Sequence, residues 1–124
     1  MKNNPFHKYL KEEDNLHIQV CNYLNYQYPN ILYFHPHNEG RRTAYERYKF
    51  KLLGAKAGVP DIVILEAKKN YYGLFIELKS EKGKLTDNQE NFIMELRYRN
   101  YYAAVCHNFE EAKKIIDWYF EKRY

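Results

Sequence analysis

In the run Leu74-Phe75-Ile76-Glu77-Leu78-Lys79 a strand would alternate its side chains, sending Leu74, Ile76 and Leu78 one way and Phe75, Glu77 and Lys79 the other. Glu77 and Lys79 then share a face, about 7 Å apart along the strand. At that spacing a carboxylate can hold a metal ion while an ammonium reaches the same phosphate. Asp61 follows Gly58-Val59-Pro60 at the mouth of the preceding strand, and a hairpin would bring its carboxylate beside Glu77. The result would be a cup of two carboxylates. Hard oxygen ligands suit Mg2+ or Mn2+, which bind through one or two carboxylates plus a substrate phosphate and keep several waters. An ion of this kind lowers the pKa of a bound water, and a neighbouring lysine offsets the charge that develops on a phosphate under attack. The competing reading makes Asp61 a turn residue and Glu77 with Lys79 a solvated strand face. An isolated D…ExK pattern does not separate the two.

The elements that must position these residues are legible in the periodicity. Glu13, Leu16, His17, Val20 and Leu24 recur at helical spacing, which predicts a first helix over 13–26 that Pro29 ends. Residues 31–35 form a short β-prone run, 38–40 a turn, and 43–53 a second helix stopping at Gly54. Two glycines and a proline make 54–60 a loop. Strands follow at 62–65 and 73–79, joined by a turn at 68–70, and together they read as a hairpin. After a polar loop at 80–85, Thr86 with Gln89 has the capping-box pattern that opens a helix through Arg99. Residues 101–106 form another strand. Asn108 and Glu111 make a similar cap, and Ala112, Ile115, Ile116 and Tyr119 form one apolar stripe beyond it. The expected fold class is therefore α/β, a mixed β-sheet flanked by helices in the order αβαββαβα.

At 124 residues and 45% hydrophobic content, the chain supports one domain over 1–124, with a polar N-terminal leader at 1–11. No further domain is expected. No run is apolar for the roughly 18 residues that a membrane span needs, and the N-terminus has no secretory pattern, so a cytoplasmic location without a membrane partner is expected. Cys21 and Cys106 have no second pair for a zinc knuckle and no CxxC spacing; both are expected reduced and buried. Twenty basic against sixteen acidic residues give +4, a mild excess that suits a polyanion without demanding one. The 14 tyrosines are better explained by strands and helix flanks than by stacking on bases. No Gly-rich phosphate loop or GxSxG elbow is present, which leaves no support for a nucleotide cofactor or a serine hydrolase.

Several ordered stretches resemble one family, in register over nearly the whole chain. They are the Glu13-x-x-Leu16 helix opening, the Tyr28-Pro29 stop, Asn38-Glu39-Gly40-Arg41-Arg42 and Gly54-x-x-x-Gly58-Val59-Pro60-Asp61. Tyr72-Gly73-Leu74-Phe75-Ile76-Glu77-Leu78-Lys79, Gly83-Lys84-Leu85-Thr86, Gln89 and the 101–106 strand complete the set. In these the chain resembles the VRR-NUC group of the PD-(D/E)xK nucleases, a stand-alone member of virus type; phage or prophage coding would be in keeping. The resemblance implies a restriction-endonuclease-like core and phosphodiester hydrolysis that depends on Mg2+ or Mn2+. It assigns metal ligation to Asp61, Glu77 and the backbone carbonyl of Leu78, and a transition-state or water-positioning role to Lys79.

By the same resemblance Glu13 is the acid that the first helix contributes to the site, and Gln89 the glutamine of the helix after the lysine. Each has an ordinary alternative. Glu13 is also a first-turn acid near a helix N-terminus, and Gln89 completes the Thr86 capping box. Where many members carry glutamine, one turn after Glu13, this chain has His17, a candidate for touching DNA or a metal-held water. The resemblance sets Asn38, Arg41 and Arg42 at the edge of the site, where arginines suit phosphate contacts. Lys82 and Lys84, with Lys49, Lys51 and Lys56, would add a basic rim. His35-Pro36-His37 brings two imidazoles close together, but a zinc site there would need further ligands that no Cys or His cluster in the sequence supplies.

The reading that follows is an endodeoxyribonuclease, acting as a homodimer on branched DNA such as four-way (Holliday) junctions. Flap or plain duplex cleavage by the same chemistry, and a DNA-binding module that does not cut, are the alternatives.

Overall fold

The computed structural model describes residues 4–37 and 42–121. A short 3-10 helix at Pro5–Tyr9, capped by the Asn4 side chain, occupies part of the polar N-terminal leader. The regular elements then run α1 (Glu12–Gln27), β1 (Tyr33–Phe34), α2 (Ala44–Leu52), β2 (Ile62–Ile64), β3 (Leu74–Leu78), α3 (Asp87–Tyr98), β4 (Tyr102–Cys106) and α4 (Phe109–Tyr119). The order is the one expected from periodicity. The main difference is β1, which keeps only two residues of the expected five.

One sheet holds all four strands in the order β1-β2-β3-β4. β2 pairs antiparallel with β1 and β3, and β4 runs parallel to β3, so the sheet is mixed. The β2–β3 hairpin turns through Lys69 and Asn70, both at positive φ, the geometry that a right-twisted hairpin favours. The parallel β3–β4 pair needs a crossover, and α3 supplies it.

Alternation along β3 sorts the two faces. Leu74, Ile76 and Leu78 pack with Leu16, Val20 and Leu24 of α1 and with Ala112, Ile116 and Tyr119 of α4 in the larger core. On the other face Phe75 and Val105 pack with Ile93, Leu96 and Ala103 in a smaller cluster under α3. Glu77 and Lys79 have the parity of Phe75, so they sit on the side that is less completely filled. Cys106 is buried and Cys21 half-buried, both as free thiols, so the expectation of full burial fails for Cys21, at the margin of the α1 stripe.

One buried charge ties α1 to α4. Asp117 is 2% exposed, and its carboxylate accepts hydrogen bonds from the Tyr23 and Tyr28 hydroxyls and from Lys113 Nζ. None of this was legible from the apolar stripe of α4. Helix caps follow their sequence signals: Thr43 with Glu46 and Thr86 with Gln89 form reciprocal capping boxes, whereas Asn108 caps α4 while Glu111 bonds the His107 N–H instead. No helix among the described residues is long and apolar enough to cross a membrane.

Two substitutions test this framework. Asp117→Ala removes the buried carboxylate on which two partly buried tyrosine hydroxyls and Lys113 converge, and is expected to lower unfolding free energy by about 3 kcal/mol in urea titration. A loss under about 1 kcal/mol would show that the network contributes little. Gly58 has φ +85°, and a Cβ there would collide with the Asn88 carbonyl at the start of α3. Gly58→Ala is therefore expected to cost about 2 kcal/mol or more in the same measurement, from strain and clash together.

Candidate active site

The antiparallel register Ile62↔Ile76 carries Asp61, one residue before β2, across from Glu77, one residue after Ile76. Both side chains are nearly inaccessible, at 8% and 2% exposure. Asp61 Oδ2 accepts the Leu78 backbone N–H at 2.8 Å, which fixes the carboxylate against the end of β3. The hairpin thus sets the two buried acids opposite one another.

Glu77 gathers the remaining polar groups. Lys79 Nζ lies 3.3 Å from Glu77 Oε2, and Gln89 Nε2 donates to the same oxygen at 3.3 Å. Gln89 completes the Thr86 box through its Oε1 and backbone N–H, while its amide nitrogen reaches Glu77. Burial pushes the Glu77 carboxyl up to about 8, the Asp61 charge pushes in the same direction, and Lys79 opposes them without winning. Two carboxylates in one dry corner with one ammonium are short of positive charge. Asp61 and Glu77 are oxygen donors of the kind that could hold a divalent cation, which would let both acids ionise together.

A second constellation adjoins the first. The β1–β2 register Phe34↔Val63 brings His35, just past the end of β1, to the backbone of Asp61, and its Nδ1 lies 2.6 Å from the Asp61 carbonyl oxygen. His17 comes from α1 and meets His35 edge to face, with ring centroids 4.6 Å apart. One ligand atom each from His17, His35 and Asp61 lie within 4.8 Å of one another. Burial, then the neighbouring His35, lowers the pKa of His17. Sequence reasoning noted His35 only as half of a His-Pro-His pair. The signal that would have found it was strand pairing, because an antiparallel partner for β2 must end beside Asp61.

Other candidates are more peripheral. Glu13 is exposed in the first turn of α1, one helical turn before His17, and is not among the three clustered ligands. The Arg42 guanidinium stacks 4.2 Å from the Phe50 ring centroid and donates to the His37 carbonyl. Asn38 and Arg41 lie outside the described residues. Lys82 and Lys84 are exposed on the loop between β3 and α3, which Gly83 anchors through its carbonyl to His107 Nε2.

The profile of the VRR-NUC domain matches residues 7–110. A solved structure described as a VRR_NUC domain protein superposes with a TM-score of 0.71 at 28% identity, covering 88% of each chain. A second, described as a VRR_NUC domain, gives a TM-score of 0.50 at 21% identity over 86% of this chain and 95% of its own, a likeness of fold. No curated protein matches the sequence. The matched span contains the opposed Asp61 and Glu77, Lys79 and Gln89, and with it the mixed sheet that holds them. On these grounds the chain belongs to the VRR-NUC domain family of nucleases.

Proposed function

We propose that the protein is a divalent-metal-dependent endodeoxyribonuclease that cuts branched DNA, such as four-way junctions, as a homodimer. The observation that carries the cleavage chemistry is the buried, opposed pair Asp61 and Glu77 with Lys79 on the same acid. Asp61 and Glu77 would hold Mg2+ or Mn2+, with the Leu78 carbonyl as a further oxygen donor. Glu13, on the helix face that also carries His17, would close the site from the solvent side. When bound, the ion supplies Lewis acidity and lowers the pKa of a coordinated water.

The chain's own groups do the rest. The Leu78 N–H holds Asp61 in one orientation, so the carboxylate need not reorganise when the phosphate arrives. Gln89, rooted in the α3 cap, steadies Glu77. Lys79 is held to Glu77 until a phosphate oxygen competes for its ammonium, and it then offsets the charge of the five-coordinate phosphorus. Lys82, Lys84 and the arginines before α2 would contact backbone phosphates and set the strand's position.

Dimerisation has separate support. α2 spans nine residues, buries none of them, and exposes Tyr45, Tyr48 and Leu52, followed by Leu53. Helices this short are marginal unless an apolar face is covered. A second copy on that face would give one particle two sites, as cutting two strands of a junction requires.

Three outcomes are expected. A labelled four-way junction is nicked with Mg2+ or Mn2+ and left whole with chelator, and Lys79→Ala slows cleavage about a hundredfold or more. Junction binding without nicks under any divalent ion would make the protein a binding module. Equal cleavage of flaps or plain duplex would remove the junction preference, and a monomer in sedimentation would remove the dimer. Stability should also depend on pH. Glu77 titrates near 8 when folded and near 4.5 when unfolded, so the folded state holds the extra proton. Its contribution is complete below about pH 4.5 and is lost as pH rises to about 8. The metal-free melting temperature is expected to fall across that window, less so in Glu77→Gln, and to recover when Mn2+ is added.

A further inference from the structure

We infer that His17, His35 and Asp61 form a binding site for a borderline divalent transition-metal ion, Zn2+ above all, distinct in donor chemistry from the all-oxygen Asp61–Glu77 pair. The site rests on geometry. Three atoms no more than 4.8 Å apart can all lie within about 2.8 Å of a common point, and small side-chain rotations would shorten that to the about 2.0–2.2 Å of Zn–N and Zn–O bonds.

The second argument is the tautomer of His35. A backbone carbonyl only accepts, so the His35 Nδ1 beside the Asp61 oxygen must carry the proton. In the neutral ring Nε2 then keeps the lone pair, and the hydrogen bond holds the ring in orientation. This is how metal-bound imidazoles are commonly set by the group behind them. Here the group behind is the main chain of Asp61, whose side chain is the third ligand, so one residue aligns the histidine and joins it.

The third argument is selectivity. Mg2+ prefers oxygen ligands and dehydrates reluctantly, whereas two imidazoles and a carboxylate suit Zn2+, Co2+ or Ni2+. Three protein ligands leave a fourth position open, the pattern of reactive rather than purely structural zinc sites. His35 is exposed, so solvent reaches that position. Asp61 is shared with the proposed nuclease site, but the inference needs only that the three side chains bind an ion. A cleavage failure therefore does not decide it.

The test is metal binding by the full chain, read by competition with a chromophoric chelator for Zn2+ and by the visible absorption of the Co2+ form. One Zn2+ per chain is expected, held at least about a hundredfold more tightly than Mg2+. His17→Ala and His35→Ala are each expected to weaken Zn2+ binding about tenfold or more, the scale of even outer-sphere losses, and to remove the Co2+ bands. Glu77→Gln, which leaves all three ligands in place, should keep Zn2+ within a few-fold. Circular dichroism checks that the histidine variants fold, and exposed His35 keeps the test open if His17→Ala does not. Unchanged Zn2+ affinity in His35→Ala, or no Zn2+ bound by the wild type, overturns the inference. If Zn2+ binds as expected while Mg2+ and Mn2+ support no cleavage, the histidine site stands and the nuclease proposal falls.

Discussion

The burial of two carboxylates side by side is the constraint around which this molecule is arranged. Asp61 and Glu77 repel one another in a corner that water scarcely reaches, and Glu77 is consequently driven toward its protonated form. A sheet assembled for stability alone would place apolar residues there. What makes the arrangement tolerable is a set of donors of fixed position: the Leu78 N–H on Asp61, and Lys79 and Gln89 on Glu77. Each is supplied by an element that cannot easily move, two by β3 and its end and one by the first turn of α3. The strain that remains is electrostatic, of the kind that a bound cation would relieve.

The rest of the fold serves that corner unequally. The face of the sheet toward α1 and α4 is a continuous apolar core, reinforced by the Tyr23–Asp117–Tyr28 contacts. The face toward α3 is thinner, and its end is given over to polar groups. Gly58 is a concrete instance of the coupling between the two demands. Its missing side chain lets the loop before β2 lie directly on the start of α3, bringing the element that carries Asp61 against the element that carries Gln89. Space that a side chain would fill is used to bring two polar residues close.

The histidines add a nitrogen-rich shoulder to an oxygen-rich site. His17 comes from α1 and His35 from the end of β1, so three separate elements meet at Asp61. A single aspartate lies at the junction of two donor sets of different hardness. Which ion would bind there would depend on which set is better preformed, and the hydrogen bond to His35 holds one of its rings in orientation.

Much of this was written in local sequence. Period and capping residues determined the element order and the helix starts, because hydrophobic spacing and side chain to backbone hydrogen bonds act within a few residues. Alternation in 74–79 determined that Glu77 and Lys79 share a face. The short extent of β1, the buried Asp117, the half-exposure of Cys21 and the alignment of His35 with His17 were decided by tertiary structure, for each depends on a partner distant in the chain. The approach of Asp61 to Glu77 belongs to both: the hairpin was readable from its strands and turn, but only the register sets the two carboxylates opposite one another. A slip of one residue would have sent Asp61 to the other face of the sheet, and β2, buried at all three positions, has no alternation of its own to forbid that slip, so the turn geometry and the packing decide it.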